Sequence, residues 1–151
     1  MVEGSAFETI DALLEQPYWV VDPLPWRVPA QGEGQFFAVE NFFLDSAMSD
    51  QLLRKHARIL LKINCYYDIL VVEREEGRWT KNPDPEELYR RASDKRRHLS
   101  VLLGEDTLIV LSDYDMTVYD PDRKILELVR ALAGAEGLFV WQPEVSTWEE
   151  K

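Results

Sequence analysis

Apolar positions recur along this chain at two periods, and each names an element where it holds. From about Ala47 to Ile63, the residues Leu52, Leu53, His56, Ile59, Leu60 and Ile63 share a helical face opposite Arg54, Lys55, Arg58 and Lys62, which predicts an amphipathic helix ended by Asn64. Thr107–Leu111 and Met116–Tyr119 are β-branched and aromatic runs around the turn-forming Ser112, Asp113, Tyr114 and Asp115, so the pair reads as a hairpin. A helix should follow, with Asp120 as its cap, Pro121 in its first position and Ile125, Leu128, Val129 and Leu132 at helical spacing. Gly134 and Gly137 mark its end, and Leu138–Trp141 reads as a strand buried on both faces.

The N-terminal part is less regular. Ser5 and Glu8 have the spacing of a capping box ahead of Phe7, Ile10, Leu13 and Leu14, giving a short helix stopped by Pro17. Tyr18–Val21 reads as a strand; Pro23, Pro25 and Pro29 then hold the chain extended, as a sheet edge or a strap. Phe36–Leu44 fits both periods, and the alternation of Phe37, Val39 and Phe43 favours a strand from Phe36 to about Glu40. Tyr66–Arg74 and Arg78–Thr80 form a second hairpin across Gly77. Asp84, Pro85 and Glu87 start a helix reaching about Asp94, and His98–Leu103 is the next strand.

These elements predict a single α+β domain over 1–151, mainly antiparallel, with 142–151 as a loosely held tail. From Tyr66 onward their order suggests a ferredoxin-like split βαβ core with an extra strand at 116–119 and helices 85–94 and 122–133 on one face. The expected core comprises Leu53, Ile59, Leu60, Ile69, Val71, Leu102, Ile109, Val118, Ile125, Val129, Leu132 and Phe139.

Composition narrows the setting. At 151 residues and 46% hydrophobic content the chain can bury a sizeable core, while a net charge of -11 argues against nucleic acid and anionic membrane surfaces as partners. One cysteine excludes an internal disulfide. The start MVEGSAFETI lacks an apolar signal region and no run reaches the roughly 18 apolar residues of a membrane span, so the expected location is cytoplasmic.

Candidate chemistry is sparse. Cys65 follows a predicted helix rather than opening one, and reads as a buried structural residue; His56 reads as a core histidine, and neither it nor His98 has a partner at metal-ligand spacing. Gly32 and Gly34 open no clear helix, so phosphate-loop and dinucleotide fingerprints fail. The run Asp113, Asp115, Asp120, Asp122 places Val118 and Lys124 where a calcium loop needs glycine and glutamate, so it reads as turn and cap residues. Asp68 interrupts an apolar strand, either as a solvent-facing carboxylate or as a buried one beside Tyr66 or Tyr67. No metal or cofactor is implied.

Two features point to partners. Arg90, Arg91, Lys95, Arg96 and Arg97 against Asp94 form a +4 segment in a chain whose remainder carries -15, fit for paired acids on a solvated helix end or for an acidic partner or phosphate. Of the five tryptophans Trp19, Trp26, Trp79, Trp141 and Trp148, those at 26, 79 and 148 fall in predicted loops or edges, where such rings anchor interfaces. The phrases YWVVDPLPWRVP (18–29), KINCYYDI (62–69), WTKNPDPEEL (79–88), MTVYDP (116–121) and GLFVWQP (137–143) resemble a family of small acidic uncharacterised bacterial proteins, of the kind found in gut Firmicutes. The resemblance implies bacterial origin and carries over no functional residue. The expected function is a protein-binding or regulatory module without chemistry of its own, with Trp26, Trp79, Arg90, Arg91, Arg96 and Arg97 as binding residues. Its partner would be a protein, basic or held by loop tryptophans, or a second copy in a homo-oligomer. The alternatives are an immunity or inhibitor protein against a basic toxin and an enzyme on a small phosphorylated or basic substrate, using Asp68, a tyrosine and the arginines.

Overall fold

Strand register determines how this chain layers. The computed structural model describes residues 3–29, 32 and 34–143. Along them run α1 (Glu3–Leu13), β1 (Tyr18–Asp22), α2 (Phe36–Leu44), α3 (Met48–Tyr66), β2 (Leu70–Glu73), β3 (Arg78–Lys81), α4 (Pro85–Ala92), β4 (His98–Leu103), β5 (Thr107–Ser112), β6 (Asp115–Tyr119), α5 (Arg123–Ala135) and β7 (Phe139–Trp141). The strands make one antiparallel sheet in the order β3-β2-β4-β5-β6-β1-β7.

Side chains alternate across a strand, so opposed residues share a face. Val71, Leu99, Val101, Ile109, Leu111, Met116, Val118 and Val21 turn to one face and pack with Ile59, Leu60 and Ile63 of α3, Leu88 and Ala92 of α4, and Ile125, Val129 and Ala133 of α5. Val72, Leu102 and Leu108 turn to the other and meet Ala6, Ile10 and Leu13 of α1. The result is three layers, with three helices on one side and α1 on the other. A partly buried carboxylate also ties the end of α5 to α3, where Glu136 accepts from Arg58 at 2.7 Å.

The α+β class and the 98–119 meander are as the sequence predicts, and α4 and α5 do lie on one face. The split βαβ order is not adopted. That motif needs a parallel pair, whereas β3 first returns the chain to the start of β2 and α4 carries it back, so β4 enters antiparallel to β2. β7 pairs with β1 instead of with a C-terminal strand, which puts Tyr18–Asp22 inside the sheet.

Several local expectations are corrected. Phe36–Glu40 is not a strand but the first half of α2, the helical spacing of Phe36, Val39 and Phe43 prevailing over the alternation. α1 starts at Glu3, so Ser5 lies within the helix rather than ahead of it. Asn64 does not end α3: the helix runs to Tyr66, and the Asn64 amide donates to Tyr67 O and Asn82 Oδ1, both at 3.0 Å. Asp122, not Asp120, caps α5, accepting from the Ile125 amide at 2.8 Å, while Asp120 takes φ +54° and donates its amide to Pro17 O. α5 passes through Gly134, and Gly137, at φ +77°, makes the left-handed turn into β7. β7 is an edge strand, so Phe139 is 44% exposed instead of core. Leu132 is only partly buried, and the other ten expected core residues are buried. The tail at 144–151, with Trp148, lies outside the described residues.

Ile109 is fully buried in the central strand. Ile109→Asp strands a carboxylate among apolar side chains and should cost about 4 kcal/mol in urea unfolding. Asp122→Ala removes the α5 cap and should cost about 1 kcal/mol.

Candidate functional site

Asp22, Asp115, the start of β4 and the start of β7 all gather at one end of the sheet, because the register sets Val21 opposite Met116 and His98 opposite Ser112. A buried arginine organises this end. Arg97 is 4% exposed and donates to Ala92 O at 2.7 Å, Asp113 O at 3.1 Å, Asp115 O at 3.1 Å and His56 Nδ1 at 2.7 Å. Since a guanidinium only donates, Nδ1 is the acceptor and Nε2 of His56 carries the ring proton, buried without a hydrogen-bond partner. Burial, reinforced by the Arg97 charge, pushes His56 down to about 3. Burial likewise lowers Arg97 to about 10, opposed by Asp115 and Asp113. The core reading of His56 fits this position; the ring serves as an acceptor for Arg97.

The +4 segment becomes a set of ion pairs. Glu73 accepts from both Arg91 and Arg78, the latter at 2.8 Å, Arg90 reaches Glu87, Lys95 lies 3.6 Å from Asp50 and Arg96 3.9 Å from Asp94. A cleft of about 200 Å³ does collect Arg78, Arg90, Arg91, Arg96 and Arg97, but Glu73, Glu75, Glu76 and Asp94 line it too, so four acids answer five arginines and little net charge remains. Asp68 does not join it. That carboxylate is exposed ahead of β2, where Asn82 donates to it at 2.9 Å.

The tryptophans separate as well. Trp26 stands 71% exposed in the loop after β1, whereas Trp79 is 38% exposed on β3, opposite Val72. Five strand spacings of about 4.8 Å put β3 and β1 roughly 24 Å apart. Trp19 and Trp141 are partly buried, and the Trp141 indole donates to Leu24 O at 3.0 Å. Cys65 is exposed within the last turn of α3 rather than buried after it, its thiol 3.7 Å from Leu61 O.

The feature that sequence reasoning missed is α2, which follows the Trp26 loop in the chain. None of the nine residues of α2 is buried, and Phe37, Val39 and Phe42 are 74%, 57% and 63% exposed. Leu24, 40% exposed, belongs to the same region, since Asp22 accepts from its amide at 2.9 Å and Glu40 of α2 acts on the Asp22 charge. Burial raises the Asp22 carboxyl above its ordinary range and Asp115 and Glu40 raise it further; burial and then Asp113 raise Asp115. The available signal was FFAVENFFL itself, apolar on every helical face and so without a side to give to water.

No group of three or more metal-ligating side chains lies together among the described residues, and no helix there is long and apolar enough to cross a membrane. No protein-family model, curated protein or solved structure matches the chain.

Below pH 6.5 the unfolded chain protonates His56 while the folded one, with its value near 3, does not, so this group's contribution to stability is present above pH 6.5 and lost as pH falls towards 3. Between pH 7 and 5.5 the loss should be about 1 kcal/mol in urea midpoints. Asp22 and Asp115, raised in the folded state, act in the opposite sense near the carboxylate range. His56→Gln, which keeps an acceptor for Arg97, should flatten the slope between pH 7 and 5.5.

Proposed function

We propose that this is a non-catalytic protein-binding module of the bacterial cytoplasm whose docking surface is α2 with Trp26. The observation that carries the reading is the exposure of Phe37, Val39 and Phe42 on one short helix. Val39 and Phe42, three residues apart, share one face and Phe37 stands on another; exposed apolar surface of this kind marks interaction sites, and each such side chain taken out of water contributes about 1.5–3 kcal/mol. The helix is also under-supported within its own chain: its N-cap Gln35 makes no side-chain cap bond, and its first turn carries no acid. A nine-residue helix in that condition is marginal alone, and burial against a partner is what it lacks.

The non-catalytic part of the reading is supported by how the candidate groups are used. His56 is held by Arg97, Asp122 caps α5, and Asp68 accepts from Asn82 in the open. The arginines at 90, 91 and 96 are taken up by acids, so Trp26 and α2, rather than that cleft or Trp79, anchor the proposed interface. An immunity or inhibitor protein against a basic toxin is the form of this module that the strong negative charge favours.

The full-length protein used as bait in bacterial lysate should retain a partner that Phe37→Ser/Phe42→Ser and Trp26→Ala each lose at unchanged melting temperature. The same retained set on all three baits would overturn the surface assignment. Turnover by the purified protein that Asp68→Asn or Asp113→Asn abolishes would overturn the non-catalytic reading.

A further inference from the structure

We infer that the surface formed by α2, Leu24 and Trp26 receives a cationic amphipathic helix from another protein. The inference rests on the docking role of α2 and adds the chemistry of what docks. Its basis is the coincidence of exposed apolar side chains with unanswered negative charge.

Residues 1–53 hold nine acidic side chains and one basic one, Arg27, and this third of the chain supplies the whole proposed surface. Two of the nine are paired, Asp11 with Arg74 and Asp50 with Lys95, and in the rest of the protein Glu73, Glu87, Asp94 and Glu136 each sit against an arginine. Among the described residues, no ion pair involves Asp22, Glu40, Asp45 or Asp115. Asp22 is central. It bonds the Leu24 amide, pairs in register with the exposed Phe139 and lies within electrostatic reach of Glu40 and Asp115. Arg97 offsets part of the Asp115 charge, but Asp22 and Glu40 have no cation paired to them among the described residues, and a lysine or arginine arriving there relieves the repulsion between them.

Two other occupants fit less well. A second copy would bring the same acidic rim against itself, and like charges facing each other oppose association. An acidic or neutral partner could bury Phe37 and Phe42 but would leave the carboxylates less solvated and still unpaired, which is costly. The simplest segment offering both an apolar stripe and flanking cations is an amphipathic helix rich in leucine and lysine, laid along an apolar surface.

A labelled Lys/Leu amphipathic peptide of about 20 residues, with its Glu/Leu counterpart as control, tests this by fluorescence anisotropy on the full chain. The Lys/Leu peptide should bind and weaken roughly tenfold between about 50 and 300 mM salt, as exposed charge pairs are screened. Glu40→Lys/Asp45→Lys should weaken it by a similar factor. So should Phe37→Ser/Phe42→Ser, whereas Glu105→Lys/Asp106→Lys, at the β4–β5 turn on the opposite end of the sheet, should change it less than twofold. Equal weakening by both charge reversals would mean that net charge alone attracts the peptide, and would overturn the site. Preference for the Glu/Leu peptide would overturn the partner class. Self-association that strengthens with salt and needs Phe37 and Phe42, without peptide binding, would assign the surface to a second copy and overturn the inference while leaving α2 a docking element. Loss of both peptide binding and α2-dependent retention from lysate would remove the docking reading as well.

Discussion

A guanidinium buried with no carboxylate bonded to it sets the geometry of one end of this molecule. Removing Arg97 from water is tolerable only because three backbone carbonyls and a neutral imidazole accept from it, and those acceptors come from α4, the β5–β6 hairpin and α3. Each acceptor is thereby fixed relative to the others. The hairpin turn cannot move away from α4, and His56 cannot take a proton while Arg97 keeps its bond, so the imidazole stays neutral in the folded state. Burial alone does not explain a histidine in this core; the need for an acceptor does.

The same end of the sheet is where layering gives out. Three helices cover one face, but on the other α1 reaches only the half made by β2, β4 and β5. Over β6, β1 and β7 that face presents Tyr18, Val20, Thr117 and Trp141 only partly covered, with Phe139 exposed. α2 then emerges from the loop beyond β1 and gives the main core only Phe43, leaving Phe37, Val39 and Phe42 outside it. One asymmetry in helix placement thus leaves aromatic and apolar surface at one edge, next to Asp22 and Glu40, which make no ion pair among the described residues.

How much of this was legible follows from which signals are local. The apolar runs at 98–103 and 107–112 and the amphipathic face of α3 are written within each segment: β4 and β5 are buried on both faces, β6 alternates, and α3 buries one side. Pairing partners are not local: nothing in Tyr18–Asp22 states that it will sit between β6 and β7, so the split βαβ order was a reasonable error. Asp120 and Asp122 both offer a capping carboxylate two residues apart, and only the positive φ of Asp120, imposed by the bond to Pro17 O, decides between them. The arginine segment shows the same limit in charge. Five cations in eight positions look like a patch until Glu73, Glu87 and Asp50 arrive from elsewhere in the fold. For α2 the failure ran the other way, since an apolar run on all sides is ordinarily evidence for burial.

An exposed apolar helix is a hazard to any soluble chain, and the charge distribution bears on why it is tolerable here. Net charge of -11, concentrated in the third of the sequence that carries α2, opposes self-association through that exposed apolar surface. The acids near α2 therefore act in two directions at once. In the binding role proposed above, they would oppose contact with a like-charged copy and favour an oppositely charged partner, so one set of side chains would set both. Had Asp22, Glu40 and Asp45 been paired internally, as Glu73 and Glu136 are, neither effect would operate and the phenylalanines would select nothing beyond apolar surface.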